Sequence, residues 1–189
     1  MGLRYALLAL LRVGPMSGYD LKKQFSLSVG HVWYAPDSQI YPELRRMEAE
    51  GLIRAEEAPR GPRATRRLYE ATPEGDRAFV AWLDAPLEYQ RTKDVAHLKA
   101  AYLEAVDDGS ARAFYERHIA VWRDEHDRWV EELSNIDALR NPMLVRRLAV
   151  TAESDRARTI AFKRHTYQGL VARARTEIAW AEEGIALLS

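Results

Sequence analysis

The stretch Ser38–Ile53 limits the folds open to this chain more than any other. Its residues Ile40, Leu44 and Met47 recur at the spacing of a single helical face. Gly51 then stands where a helix commonly ends in a left-handed residue. The sequence therefore predicts a short helix that ends at a glycine and continues directly into a strand.

A basic segment follows this helix and strand. Arg60–Arg67 is rich in arginine, contains a glycine and a proline, and has no acidic residue. We predict that most of this segment is a loop, here called the wing, which joins a strand at 52–58 to a strand at 67–71. The order helix, strand, basic hairpin, strand is that of a winged helix-turn-helix, which predicts that the chain binds DNA.

Capping residues mark the helices in the first part of the chain. Leu3–Val13 predicts a buried first helix, and Ser17 caps a second one that runs over Gly18–Leu27. Either Asp37 or Ser38 is predicted to cap the third helix. These three helices would form the helical part of the winged domain.

After the hairpin, Thr72 is predicted to cap a fourth helix, with Pro73 in its first turn. The break at Pro86 marks a boundary between two domains, 1–85 and 86–189. The predicted fold is mainly α with a small β-hairpin. It combines an N-terminal winged helix-turn-helix with an all-helical C-terminal dimerisation domain.

The C-terminal domain is predicted to contain a helix over Thr92–Val106, one that begins at Ser110, and a long one opened by Asn141-Pro142. Apolar stripes run along the last two. The first stripe comprises Tyr115, Ile119, Trp122, His126, Trp129, Leu133 and Ile136. The second comprises Ile160, Arg164, Tyr167, Val171, Ala174, Ile178, Ala181 and Ile185. Each stripe can pack on the other or on a second subunit.

Composition narrows the class of protein. The chain has 189 residues and no cysteine, which excludes disulfides and cysteine metal sites and fits a reducing cytoplasm. Lys+Arg and Asp+Glu are both 28, so DNA binding would depend on local charge. The apolar run Leu3–Leu11 is too short to span a membrane and is not predicted to be a signal peptide.

Candidate DNA contacts lie on two predicted helices and the wing. A glutamine can bond adenine in a bidentate way, whereas arginine can bond guanine or a phosphate. The candidates are Tyr19, Lys22, Lys23, Ser38, Gln39, Tyr41, Arg45, Arg60, Arg63 and Arg66. The alternatives are that the third helix presents a solvated face and that the Tyr41 ring packs on the second helix. Arg67 adjoins the strand and is a weaker candidate.

Aromatic residues offer a candidate effector site. Trp33, Tyr34, Trp122 and Trp129 can stack on a flat ligand, although such residues more often form a core or a dimer interface. His118 lies too far from the next histidine on its helix for a metal pair at one-turn spacing. We predict no metal site, no cofactor and no catalytic set, so the chain is not predicted to be an enzyme.

Four motifs resemble the PadR family of bacterial transcriptional regulators: Gly14–Leu21, Gln39–Leu44, Glu48–Ile53 and Tyr69–Gly75. The C-terminal part resembles the longer PadR type, in which a helical domain mediates dimerisation. The resemblance implies a dimeric, often ligand-responsive repressor. It also implies that the third helix enters the major groove and that the wing approaches the DNA backbone or minor groove. Many relatives respond to aromatic effectors.

The chain departs from this family pattern at two positions. Ser38 stands where many relatives have glycine, and the wing has the order Gly61-Pro62-Arg63 where Gly-Arg-Pro is commoner.

We therefore expect a cytoplasmic homodimer that binds a palindromic operator in double-stranded DNA and represses transcription by occluding a promoter. A small aromatic effector is a further expected partner, and no membrane association is expected. The alternative is a winged-helix subunit that binds a protein partner rather than DNA.

Overall fold

The structure, a computed structural model, describes residues 2–27, 32, 35–59, 65–89 and 93–188. The chain divides into two compact units. The first contains the chain up to Leu87 together with Pro142–Thr151, and the second contains Glu88–Asn141 and the chain from Ala152 onward. No helix among the described residues is both long and apolar enough to cross a membrane.

Three helices and a small sheet form the core of the first unit. The helices are α1 (Gly2–Leu11), α2 (Gly18–Leu27) and α3 (Asp37–Ala49). Their apolar faces meet, and the side chains buried there are Leu7, Leu8, Leu10, Leu11, Leu21, Phe25, Ile40, Leu44 and Met47. The predicted helical face of α3 is confirmed, because its three apolar residues are fully buried in this core.

Local hydrogen bonds account for the ends of α2 and α3. The Ser17 hydroxyl accepts from the amide of Asp20 at 3.1 Å, as predicted for a cap. Gly51 has a φ of 73°, and the amide of Leu52 donates to the Met47 carbonyl at 2.9 Å. Since this is a left-handed glycine C-cap, the predicted turn into the next strand is confirmed.

The start of α3 differs from the prediction. Pro36, rather than Asp37 or Ser38, occupies the capping position, and it makes no side-chain capping hydrogen bond. The amide of Gln39 donates instead to the Pro36 carbonyl at 2.9 Å. The fixed φ of proline holds the extended conformation that a capping position needs.

The sheet is antiparallel with the order β1-β3-β2. Its strands are β1 (Met16–Ser17), β2 (Ile53–Pro59) and β3 (Thr65–Ala71). The hairpin of β2 and β3 was predicted. The two-residue strand β1 was not, because so short a segment carries no alternation of apolar and polar residues.

Two more helices belong to the first unit. Thr72 caps α4 (Pro73–Asp84), where its hydroxyl accepts from the Gly75 amide at 3.1 Å. The other is α7 (Pro142–Ala149), whose Met143 joins the core of this unit. The segment 142–151 thus packs with the first unit, although it follows the predicted domain boundary.

The second unit contains α5 (Val95–Ala100), a short 3₁₀ helix (Leu103–Ala105), α6 (Asp108–Asp137) and α8 (Glu153–Ala186). The single helix predicted over Thr92–Val106 is wrong, because Tyr102 has a φ of −135° and interrupts the helix there. Residue 92 lies outside the described residues. The next helix begins earlier than Ser110, because the Asp107 carboxylate accepts from the Ser110 amide and caps α6.

The long last helix predicted after Asn141-Pro142 is also wrong, since it is divided into α7 and α8. Bonds from the amides of Val150 and Thr151 to carbonyls three residues earlier tighten the last turn of α7. The Thr151 hydroxyl also donates to the Arg147 carbonyl at 2.7 Å. A new helix then starts at Glu153.

The two predicted stripes face each other within one chain. α6 and α8 pack along their lengths, and the side chains buried between them include Tyr115, Ile119, Trp129, Ile136, Tyr167, Val171, Ala174 and Ala181. Burial and the carboxylate of Glu132 raise the pKa of Tyr167. Both stripes are thus largely buried by contacts within a single chain.

Candidate nucleic-acid interface

One face of α3 is open to solvent. Ser38, Gln39, Tyr41 and Arg45 are exposed there, on the sides of the helix that do not enter the core. Arg45 forms no hydrogen bond or ion pair with another described residue. The face therefore presents one amide, two hydroxyls and one guanidinium, which are groups that bind base edges and phosphates.

Tyr41 packs on α2 and still reaches solvent. A Cβ atom built on Gly18 would lie only 2.5 Å from Cε1 of the Tyr41 ring, so the ring rests directly on that glycine. The residue is nevertheless 43% exposed. The packing alternative is thus confirmed, and it leaves part of the side chain accessible.

The start of α2 supplies further polar groups. Tyr19 is 70% exposed and Lys23 is exposed, whereas Lys22 is half-buried. Asp20 accepts a hydrogen bond from the Ser17 hydroxyl at 2.7 Å, so this carboxylate is engaged in the cap.

A cleft of about 470 Å³ joins these elements to the wing. Its walls include Tyr19 from α2, Tyr41 from α3 and Arg66 from β3. Three residues that are far apart in sequence thus surround one concave surface. The lining also includes Arg67 and one acidic residue, Asp20. The two guanidinium groups and the tyrosine hydroxyls are groups that bind a sugar-phosphate backbone.

Two neighbouring arginines on β3 have different surroundings. Arg66 is exposed and forms no hydrogen bond or ion pair with another described residue. Arg67 donates to both carboxylate oxygens of Glu48, at 2.6 and 2.7 Å. Arg67 is therefore paired with an acidic residue of α3, which agrees with its weaker standing as a candidate DNA contact.

Acidic residues of α3 are paired with arginines. The guanidinium of Arg4 on α1 donates to Glu43 at 3.1 Å and to Glu50 at 2.8 and 3.1 Å. The hydrogen bond to Glu50 is the main cause of a raised pKa of Arg4. Arg46 donates to Glu43 at 2.9 Å. These ion pairs offset the negative charge of the acidic residues on and next to α3.

Four of the predicted site residues, Trp33, Tyr34, Arg60 and Arg63, lie outside the described residues. The other effector candidates lie in the second unit. Trp129 is only 5% exposed, and its Nε1 has no hydrogen-bond partner in the described part of the chain. The Trp122 ring lies edge-on to it, with centroids 6.4 Å apart.

Sequence reasoning missed the ion pairs that hold α3. The partners are 19 residues apart in the pair of Glu48 with Arg67, and 39 and 46 apart in the pairs of Arg4. Charge spacing within one helix could not reveal them, because each joins two separate elements. The packing of Tyr41 on α2 was an alternative open from the sequence, whereas its close contact with Gly18 was not foreseen.

A buried helical core, an exposed third helix and an antiparallel hairpin define a winged helix-turn-helix protein. Residues 7–81 match the transcriptional regulator PadR-like family. The negative transcriptional regulator PadR of Bacillus subtilis (strain 168) is 34% identical over 115 residues, which is 60% of this chain. The chain therefore contains a PadR-like domain over residues 7–81. The chain spans 63% of the length of that curated relative.

Solved structures resemble the chain over nearly its whole length. The crystal structure of B. subtilis PadR in complex with operator DNA has a TM-score of 0.73 at 24% identity, covering 100% of both chains. That of B. subtilis PadR in complex with p-coumaric acid has a TM-score of 0.64 at 25% identity, covering 98% of this chain and 94% of the other.

Proposed function

We propose that the chain binds double-stranded DNA as a homodimer and represses transcription by occluding a promoter. The observation that carries this proposal is the continuous exposed surface formed by α3, the start of α2 and β3. The match to a structure of B. subtilis PadR with operator DNA supports it. The proposal involves no catalytic step and no cofactor, and such a regulator would act in the cytoplasm.

Within this surface, different side chains take different roles. Gln39 lies in the first turn of α3, where a helix in the major groove meets base edges, and Ser38 lies beside it. Arg45 can reach either a base or a phosphate. Tyr19, Lys22, Lys23 and Tyr41 would hold the backbone, together with the wing arginines Arg60, Arg63 and Arg66.

The second unit would supply the dimer contact. Because its two apolar stripes face each other inside one chain, the contact must use other residues. Three apolar side chains in and near α5 are strongly exposed: Val95, Leu98 and Tyr102. No residue of α5 is buried. A partner subunit covering them would remove apolar surface from water. A two-fold dimer would then place two α3 helices about 34 Å apart, in successive major grooves.

The domain boundary near Pro86 remains part of the proposal in a modified form. The chain up to Leu87 would act with α7 as the DNA-binding unit, because α7 packs with that unit. The second unit would carry dimerisation and ligand response.

A small aromatic acid is the proposed effector. The structure of B. subtilis PadR with p-coumaric acid suggests the class of ligand. The buried indole N–H of Trp129 has no hydrogen-bond partner among the described residues and lies beside a second tryptophan ring. Addition of p-coumaric acid should release bound DNA, and Trp129→Phe should reduce this response because it removes the donor. Release that is equal in both proteins would exclude Trp129, and no release would exclude this ligand.

A salt titration tests DNA binding against the alternative of a protein-interaction subunit. A fluorescently labelled duplex of random sequence should bind the full chain at low salt, with log K falling linearly as log salt rises. The slope should correspond to several phosphates, about 0.9 for each. A chain that binds only a protein partner would show no affinity for the duplex at low salt.

A further inference from the structure

We propose that Glu48 and Arg67 form a positioning pair that fixes β3 of the wing against α3. Arg67 would then support DNA binding without touching DNA, unlike its neighbour Arg66. This inference rests on the proposed DNA-binding function and assigns a role within the same surface.

The geometry joins the two elements directly. Glu48 lies in the last turn of α3, and Arg67 lies in the half of β3 that is nearer the wing loop. A single terminal nitrogen of Arg67 donates to both carboxylate oxygens, and the guanidinium carbon lies 5.6 Å from the centre of the Tyr69 ring. The bonds of this nitrogen to Glu48 and the contact with the buried Tyr69 ring give Arg67 a defined orientation.

The opposite flank of α3 is held in the same way. Glu43 and Glu48 are five residues apart, which corresponds to about 140° around a helix. Arg4 of α1 holds Glu43 and the nearby Glu50. Arginines from two different elements therefore form ion pairs with α3 on two sides of the helix. Together they restrict its rotation about its own axis, which decides where Gln39 and Arg45 point.

A positioning role for Glu48 and a purely electrostatic role predict opposite effects on DNA affinity. An acidic residue near DNA repels phosphates, so removing its charge should strengthen binding. If Glu48 instead positions the wing through Arg67, removing its charge should weaken binding. The sign of the effect of Glu48→Gln therefore separates the two roles.

The experiment measures affinity for the duplex sequence that the wild-type chain enriches from a random pool, over a range of salt concentrations. Glu48→Gln and Arg67→Gln should each weaken binding about two- to fivefold, as expected for the loss of an exposed ion pair. The double variant should bind no more weakly than the weaker single variant. Arg67→Gln should leave the salt slope unchanged, whereas Arg66→Gln should reduce it by about 0.9.

Arg54→Gln is the matched control. Arg54 also forms an exposed ion pair, with Glu70 at 2.6 and 3.0 Å, but this pair joins β2 to β3 at the end of the hairpin away from the wing loop. Its substitution should leave DNA affinity unchanged. Circular dichroism of each variant checks that the fold is retained.

Two results would overturn this inference and leave the proposed function intact. In the first, the Glu48→Gln variant binds DNA as tightly as wild type or more tightly. In the second, Arg67→Gln lowers the salt slope by about 0.9. Additive losses in the double variant would count against it equally. Failure of the wild-type chain to bind any duplex would overturn the proposed function itself, and the inference with it.

Discussion

Gln39 is the side chain whose proposed role in DNA recognition is most open to a direct test. It is exposed in the first turn of α3, and its amide can both donate to and accept from adenine. Arg45 is a poorer test because a guanidinium can bind either a base or a phosphate. Base recognition and backbone binding can therefore be separated at this position.

Gln39→Ala should relax sequence preference more than it lowers non-specific affinity. Loss of a bidentate base contact should cost roughly 1–3 kcal/mol at one base pair and little elsewhere. The measurement compares wild type and variant on a set of duplexes with single base changes at one salt concentration. An identical ranking and spread in both proteins would show that Gln39 does not contact a base.

Exposure of the candidate residues on α3 followed from sequence, because Ile40, Leu44 and Met47 fix which face is buried. The difference between Arg66 and Arg67 did not. Only the position of Glu48 on another element decides that Arg67, and not Arg66, is paired.

At the scale of the elements, helix packing in the second unit depends on a close approach at Gly184. A Cβ atom built there would lie 2.5 Å from Cε1 of the Tyr115 ring, whereas one built on Gly169 would meet nothing within 4 Å. Both glycines lie in α8. They therefore form a matched pair in which only one position has a neighbour to displace.

Gly184→Ala should destabilise the protein by about 1–3 kcal/mol, because the Tyr115 ring must move out of its buried position. Gly169→Ala should stabilise it by roughly 0.5–1 kcal/mol through higher helix propensity. Denaturant unfolding of both variants tests this contrast. Equal stability changes would mean that the contact with Tyr115 does not limit the approach of α6 and α8.

Element boundaries set by local chemistry could be predicted from sequence. The Ser17 and Thr72 caps and the left-handed Gly51 depend on neighbouring backbone groups only. The strand at Met16–Ser17 depends on pairing with residues of β3 far along the chain. The packing of α7 with the first unit likewise depends on long-range contacts of Met143, which periodicity does not encode.

At the scale of the whole molecule, the two apolar stripes pack on each other inside the second unit of one chain. They therefore cannot also form the dimer interface. The exposed apolar side of α5 is the candidate that we propose there. Leu98 is 61% exposed, and its substitution should not disturb the fold of a single chain. It is thus a suitable position at which to separate assembly from folding.

Leu98→Asp should shift the dimer to a monomer and weaken operator binding, because a charge would be buried at the contact. Sedimentation of the full chain tests this. Val80→Asp, at an exposed apolar position on α4 of the first unit, is the control and should leave the dimer intact. A Leu98→Asp variant that sediments as a dimer would place the interface elsewhere.

Selection of duplexes from a random-sequence pool by the full-length chain tests the central claim most directly. A two-fold dimer that reads bases through α3 should enrich an inverted repeat whose half-sites are about one helical turn apart. The same chain should lose that enrichment when Gln39 is replaced by alanine. Enrichment of no sequence over the starting pool, despite folded and dimeric protein, would contradict sequence-specific DNA recognition by this surface.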